Sequence, residues 1–335
     1  MDWSHYYSYD DILRFTDWVR LKYPDLVEII HIGRSYEGRP LVIVKIGRDK
    51  AAISAKKKNR LRKKSKGMGV FIEAGCHGRE WIGPASANWM IYEILKIFKN
   101  NATTPLEESV QKTTWYIMPA SNPDGYEYTR EYDRMWRKSR SKQKSNSEGF
   151  FDAALAWLKS TKEGNKTCFG VDLDRNWMHQ GNLILQCNEF YGGSSALSEP
   201  ETRALATFLM DHRKQLKLFV SLQSYGQILS YPTKFNSSYS FQKLDDLTDV
   251  ALVGVDGLRK SGSRTRYRVD TNNDLIPERT GSSDHFATHE VGIPFSYTIH
   301  IGDNGVHGYL LPGSYIEPAA RDTFEIIKAM VDYIS

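Results

Sequence analysis

The 335-residue chain is 40% hydrophobic and 25% charged, which is ordinary globular usage and excludes a disordered or collagen-like chain. Its apolar runs fall far short of the roughly 20 residues that a bilayer span needs, so no transmembrane helix is expected. Lys and Arg number 45 against 40 Asp and Glu, for a net charge of +5, but eight basic residues crowd between Lys56 and Lys66, which leaves −3 (5 less 8) elsewhere. A nucleic-acid protein builds a basic face into its fold, not one loop, so no specific nucleic-acid partner is expected.

In chain order, Tyr9 to Tyr23 carries Ile12, Leu13, Phe15, Trp18, Val19 and Leu21. That spacing predicts an amphipathic helix, ended by Pro24. Val27–Ile32 and Leu41–Ile46 read as strands joined by the turn-rich Gly33–Pro40, which predicts a hairpin. Lys50–Gly69 is a polar, basic loop. Val70–Ala74 is a strand running into Gly75, and Pro84–Phe98 is a helix with Pro near its first turn. Thr113–Met118, Val220–Gln223 and Phe295–Ile299 are further strands; Glu199–Leu218, Leu244–Lys260 and Pro318–Ile334 are helices. Strands alternate with helices along the whole length and no linker divides them. This predicts one α/β domain over residues 1–335, with helices on both faces of a sheet. Ligands of such sheets sit at the carboxyl ends of strands.

The strand ending at Ala74 delivers Gly75-Cys76-His77-Gly78-Arg79-Glu80-Trp81. A His and a Glu three residues apart just past a strand can turn toward one metal; zinc accepts both and needs a third protein ligand plus an open position for catalysis. Alone, this pattern is a slight signal. Its company is specific: Gly33-Arg34-Ser35-Tyr36-Glu37-Gly38-Arg39-Pro40, then Asn122-Pro123-Asp124-Gly125-Tyr126 and Met135-Trp136-Arg137-Lys138-Ser139-Arg140. Gly170-Val171-Asp172-Leu173-Asp174-Arg175-Asn176-Trp177 and Gly308-Tyr309-Leu310-Leu311-Pro312 follow.

With these motifs in order, the chain resembles the zinc metallocarboxypeptidases of the pancreatic carboxypeptidase A/B type from about Tyr6 to Ile334. The resemblance implies a single α/β domain with a mixed, mostly parallel eight-stranded sheet, and removal of C-terminal residues from peptides by a zinc-bound water. It places His77 and Glu80 at two zinc-ligand positions and Arg79 in the substrate channel. Arg137 falls where an arginine polarises the scissile carbonyl, a role suited to developing negative charge. Arg175 falls where an arginine clamps the terminal carboxylate, and Ser224 and Tyr225 match the pair after the third ligand. Cys168 and Cys187 match a disulfide position around the Asp172–Arg175 segment, a loop worth roughly 3 kcal/mol in the chain-entropy model. Cys76 is then left over and expected to pack beneath His77.

Five positions depart from the family pattern. The third zinc ligand is a His in a His-Ser-Tyr triplet; here Gln223 stands there, and an amide is a poorer zinc ligand than imidazole. The general-base Glu, twelve residues before the proline of Leu-Leu-Pro, is His300. Asp174 replaces the Asn beside the carboxylate clamp, where an ionised carboxylate repels another or pairs with Arg175. The mobile tyrosine becomes Ile276, with Pro277 as the neighbouring alternative, and Ser283 falls at the floor of the specificity pocket. Loss of the base alone costs about 10²–10⁴-fold in rate.

The leading expectation is therefore a catalytically inactive or severely impaired relative whose arginine-lined groove binds a peptide or protein C-terminus or another anion. One alternative is an active zinc carboxypeptidase whose site is rebuilt with His300 as ligand or base, so that one zinc ion occupies a weakened or rebuilt site. Another is a secreted scaffold acting through Lys56–Lys66, which is either a solvated loop or a patch for an anionic surface or glycan. The Arg130–Lys144 cluster is expected to line the cleft rim, and His285 and His289 to be surface or packing residues. The inserted segment 141–167 holds Phe151, Ala154, Leu155 and Leu158 at helical spacing, a short amphipathic helix that packs on the domain or covers the cleft. Sequons at Asn101, Asn165 and Asn236 and the cysteine pair suit a secreted monomer. Met1-Asp2-Trp3-Ser4 has no apolar signal region, so secretion implies a signal, and any pro-segment, outside this chain.

Overall fold

Eight strands carry the fold: β1 Val27–Arg34, β2 Pro40–Ile46, β3 Gly69–Ala74, β4 Thr114–Met118, β5 Leu216–Ser224, β6 Ile228–Tyr231, β7 Arg268–Thr271 and β8 Phe295–Ile301. They form one sheet in the order β1-β2-β4-β3-β5-β8-β6-β7. Pairs β3/β4, β3/β5, β5/β8 and β6/β7 are parallel, and the other three are antiparallel. The expected mixed, mostly parallel α/β sheet is thus present. The computed structural model describes residues 1–48, 67–100, 102–143, 168–178, 184–232, 241–271 and 281–335. Outside the described residues lie Lys56–Lys66, the segment Phe151–Leu158 expected as a helix, Ile276 with Pro277, and the asparagines of all three sequons.

Side-chain alternation decides which face each strand residue serves. Val70, Ile72, Val220, Leu222, Tyr297 and Ile299 enter the larger core, beneath the helices Ile82–Lys99, Phe241–Lys260 and Ile316–Ile334. Phe71 and Phe219 point the other way, into a second core with Leu205 and Phe208 of the helix Pro200–His212. Helices therefore cover both faces, as the element pattern predicts.

The helix expected to run through Leu218 stops at His212. From Leu216 the apolar residues Leu216, Leu218 and Val220 recur every second position, and the chain enters β5. Two short helices lay outside the sequence reading. Thr104 caps Pro105–Lys112 by accepting from the Glu107 amide at 3.3 Å, and Asn122 caps Pro123–Glu131 by accepting from the Gly125 amide at 2.9 Å. Strands β6 and β7 have four residues each, too few for a periodic signal.

The motif Gly33–Pro40 closes the predicted β1–β2 hairpin and has a structural task. Ser35 Oγ and the Glu37 amide donate to the buried Asp124 carboxylate at 2.6 and 2.7 Å, and Arg39 pairs with it at 2.8 Å. Two distant sequence motifs are thereby docked on each other. Glycine is required where the loop after β3 and the segment around Lys138 touch the backbone of the helix Pro123–Glu131. A Cβ on Gly78 would lie 2.4 Å from the Gly125 carbonyl oxygen, and one on Gly125 would lie 2.4 Å from that of Lys138.

On the second face a polar row crosses the sheet by register: Glu73 opposite Ser221, Ser221 opposite Thr298, Thr298 opposite Ser230. Burial, aided by the nearby Asp174 charge, pushes Glu73 up to about 7. Glu201, which accepts from the Tyr36 amide at 2.8 Å, is likewise pushed up to about 7 by burial. An acid with a raised folded pKa keeps its proton longer in the folded state, so stability falls as pH rises from the unfolded value toward 7. Thermal melts of Glu73→Gln and Glu201→Gln should therefore show a flatter pH dependence than the parent between about pH 4.5 and 7. A parent whose stability rises with pH across that window relative to both variants would contradict the assignment.

Candidate active-site groove

Alternation and register together build the groove. Gln223 on β5 and His300 on β8 are register partners, and both point to the face opposite Leu222 and Ile299. They line a cavity of about 570 Å³ at the carboxyl ends of these strands. Glu80, Arg137, Asp174, Arg175, Ser224, Tyr225, Phe190 and Tyr309 share it. The structure thus brings most of the sequence-predicted residues to one place.

The positioning centre is Asp172, whose side chain is fully buried. Its Oδ1 accepts from His77 Nε2 at 3.0 Å and from the Asp174 amide at 3.1 Å. Its Oδ2 faces Arg137 Nε at 3.0 Å and Arg175 Nε at 3.3 Å. Burial alone would raise this carboxyl, but Arg137 and His77, helped by Arg175, outweigh it and hold it well below the usual carboxylate range. Arg137 is in turn raised: burial works against its charge, and Asp172 and Glu80 overcome that.

His77 and Glu80 are buried and adjacent, with Nδ1 2.8 Å from Oε1. Glu80 Oε2 also accepts from the Ser224 amide at 2.9 Å. Burial would raise Glu80, but His77 and Arg137 hold it down. Cys76 packs beside the imidazole, Sγ 3.6 Å from Nδ1, and burial pushes its thiol well up, as suits an inert packing residue.

The donor set matches zinc only in part. His77 offers Nδ1 while Asp172 fixes its other nitrogen, an arrangement typical of a zinc histidine. Gln223, at the position expected for a third ligand, offers a neutral amide; it is 2% exposed and its Nε2 has no hydrogen-bond partner among the described residues. Among those residues no three His, Cys, Asp or Glu side chains are grouped to hold a metal, so His300, as placed, does not complete His77 and Glu80.

Arg79 lies at the rim. It pairs with Glu189 at 2.9 Å and stacks over Tyr309 at 4.3 Å, and Tyr309 meets Tyr225 edge-on at 4.9 Å. Arg134 of the predicted rim cluster bridges the Arg79 and Tyr309 carbonyls. Ser283 is buried beside Glu73 and does not line the cavity. His285 is a packing residue, fully buried against Ser282 at 2.8 Å, and stacks with His289. The Cys168–Cys187 disulfide is present. Sequence reasoning assigned no role to Asp172, Glu189, Phe190 or Tyr309. Asp172 and Tyr309 sit inside the quoted motifs, and Glu189 and Phe190 follow Cys187, which was the available signal.

The zinc carboxypeptidase family profile matches residues 12–326. Carboxypeptidase B of Astacus astacus is 31% identical over 100% of this chain and 98% of its own length. Mast cell carboxypeptidase A of Homo sapiens is 31% identical over 99% of this chain and 71% of its own. The solved structure of bovine thrombin-activatable fibrinolysis inhibitor, in complex with tick carboxypeptidase inhibitor, superposes with a TM-score of 0.80 at 30% identity, covering 99% and 98% of the two chains. The chain belongs to the zinc carboxypeptidase family.

Replacing Asp172 by Asn should leave two guanidinium groups without their buried counter-charge. A loss of about 3–5 kcal/mol in urea unfolding is expected, the cost of breaking a buried charge pair. A loss under about 1 kcal/mol, the worth of an exposed pair, would show that Asp172 is not the centre described.

Proposed function

We propose that this member of the family is a peptide-groove binding protein, inactive or severely impaired as a carboxypeptidase. Its groove takes a peptide or protein C-terminus, or a similar carboxylate, through Arg137 and Arg175, with Arg79, Ser224 and Tyr225 along the approach. The observation that carries this reading is the Gln223–His300 pair. These register partners stand side by side where the family resemblance puts an imidazole ligand and a carboxylate base, while Asp172 holds the two arginines. Without a carboxylate at residue 300 the proton route to a leaving amine is lost, at about 10²–10⁴-fold in rate. An amide at residue 223 weakens zinc retention further. Binding needs neither group. Two guanidinium groups aimed into a partly apolar cavity favour a carboxylate by charge-assisted hydrogen bonds. The protein acts as a secreted monomer in this reading, consistent with its disulfide.

A second reading, an active zinc carboxypeptidase using His300, is favoured by one observation: His300 lines the same cavity as Glu80. Two measurements separate them. Elemental analysis of protein purified without chelator, with His77→Ala as control, should find well under one zinc per chain. Peptides ending in Phe, Leu, Lys or Arg should bind without releasing their last residue, and Arg175→Ala should abolish that binding. Stoichiometric zinc that disappears in His77→Ala, together with release of C-terminal residues, would establish the second reading. The double substitution Gln223→His with His300→Glu should raise zinc occupancy and produce turnover where the parent has none. A double variant that binds zinc fully yet stays inert would locate the defect outside these two positions.

A further inference from the structure

Phe190 is 37% exposed and lines the cavity. Its ring lies 5.4 Å from the Arg137 Cζ and 5.0 Å from the Arg175 Cζ, within cation–π range of both. Asp172 takes the Nε atoms of the same two arginines. The pair therefore contacts both a carboxylate and an aromatic ring. The backbone amide of Phe190 donates to Asn188 Oδ1 at 2.8 Å, and the disulfide fixes Cys187 three residues earlier. The next residue back, Glu189, holds Arg79. One stapled segment thus meets all three groove arginines.

We propose that Phe190 is a specificity-determining residue of the groove, selecting a planar carboxylate over a tetrahedral oxyanion. This rests on the carboxylate-binding reading above. A guanidinium is a flat fork whose edge matches a carboxylate lying in its own plane. A phosphate or sulfate bound at that edge sends further oxygens out of the plane. Both guanidinium carbons lie over the Phe190 ring at 5.0–5.4 Å, so oxygens sent toward that ring meet its electron-rich side. A flat carboxylate avoids that contact and keeps its in-plane hydrogen bonds. The ring also sheds water from the charged pair, which strengthens whatever anion the edge accepts.

The test is calorimetric titration of the full chain with an N-acetylated dipeptide bearing a free carboxylate, and separately with inorganic phosphate and sulfate. The parent should bind the peptide carboxylate at least about tenfold tighter than either inorganic anion, the scale of one cation–π contact in a desolvated site. Phe190→Ala should bring the ratio toward unity. Phe190→Trp should keep it, and Phe190→Leu, which fills space without a π face, should not. If Phe190→Ala is too unstable to titrate, the Trp and Leu variants carry the comparison. An unchanged ratio in Phe190→Ala, or full restoration by Leu, would overturn the role of the ring while leaving carboxylate binding intact. A folded parent that binds no peptide carboxylate would remove the reading on which the inference stands, and the inference with it.

Discussion

The groove depends on one buried carboxylate. Asp172 meets His77, Arg137 and Arg175 at 3.0–3.3 Å, and its own burial is tolerable only because those partners surround it. Each partner comes from a different stretch of chain: the loop after β3, the segment after the helix Pro123–Glu131, and the turn that holds Asp172 itself. The carboxylate therefore does two things at once. It locks three loops together and aims two guanidinium groups into the cavity. Glycines let the loop after β3 and the Arg137–Lys138 segment close on the helix Pro123–Glu131, since the Gly78 and Gly125 positions leave no room for a side chain.

The arginine clamp and the Gln223–His300 pair sit on different supports. Gln223 and His300 are strand residues set by the β5–β8 register, whereas the arginines are loop residues set by Asp172. A change at 223 or 300 leaves the backbone ladder and the Asp172 network untouched. This separation lets the strand residues at 223 and 300 vary in chemistry independently of the arginines that Asp172 holds. The sheet fixes where the strand residues point; it does not fix their chemistry.

Much of the fold was legible because it follows periodicity. The helix Tyr9–Lys22, the β1–β2 hairpin and the strand into Gly75 appear as read, within a residue or two. The helix expected to reach Leu218 ended early, because apolar residues at Leu216 and Leu218 also satisfy a helical pattern until the strand partner is known. The site was legible through motif order, which located His77, Glu80, Gln223, His300 and the arginines. Periodicity and motif spacing did not reveal Asp172 as the common partner of His77, Arg137 and Arg175, nor Phe190 and Glu189 as the segment facing all three arginines. Apart from the short step from Asp172 to Arg175, those contacts join separate stretches of chain that only the folded structure brings together.

The Gln223 amide bears on what the groove is for. A buried donor without a partner costs about 1–3 kcal/mol, and a side chain of the same size without a polar head would avoid that cost. Gln223 Nε2 is such a donor among the described residues, and its side chain lines the cavity beside Glu80 and Arg137. Its Nε2 has essentially no accessible surface, so a ligand carbonyl or carboxylate oxygen would satisfy it once the amide turned toward the cavity. An amide donor there is thus compatible with holding a peptide end by hydrogen bonds, the one task in the groove that asks for neither a metal nor a base.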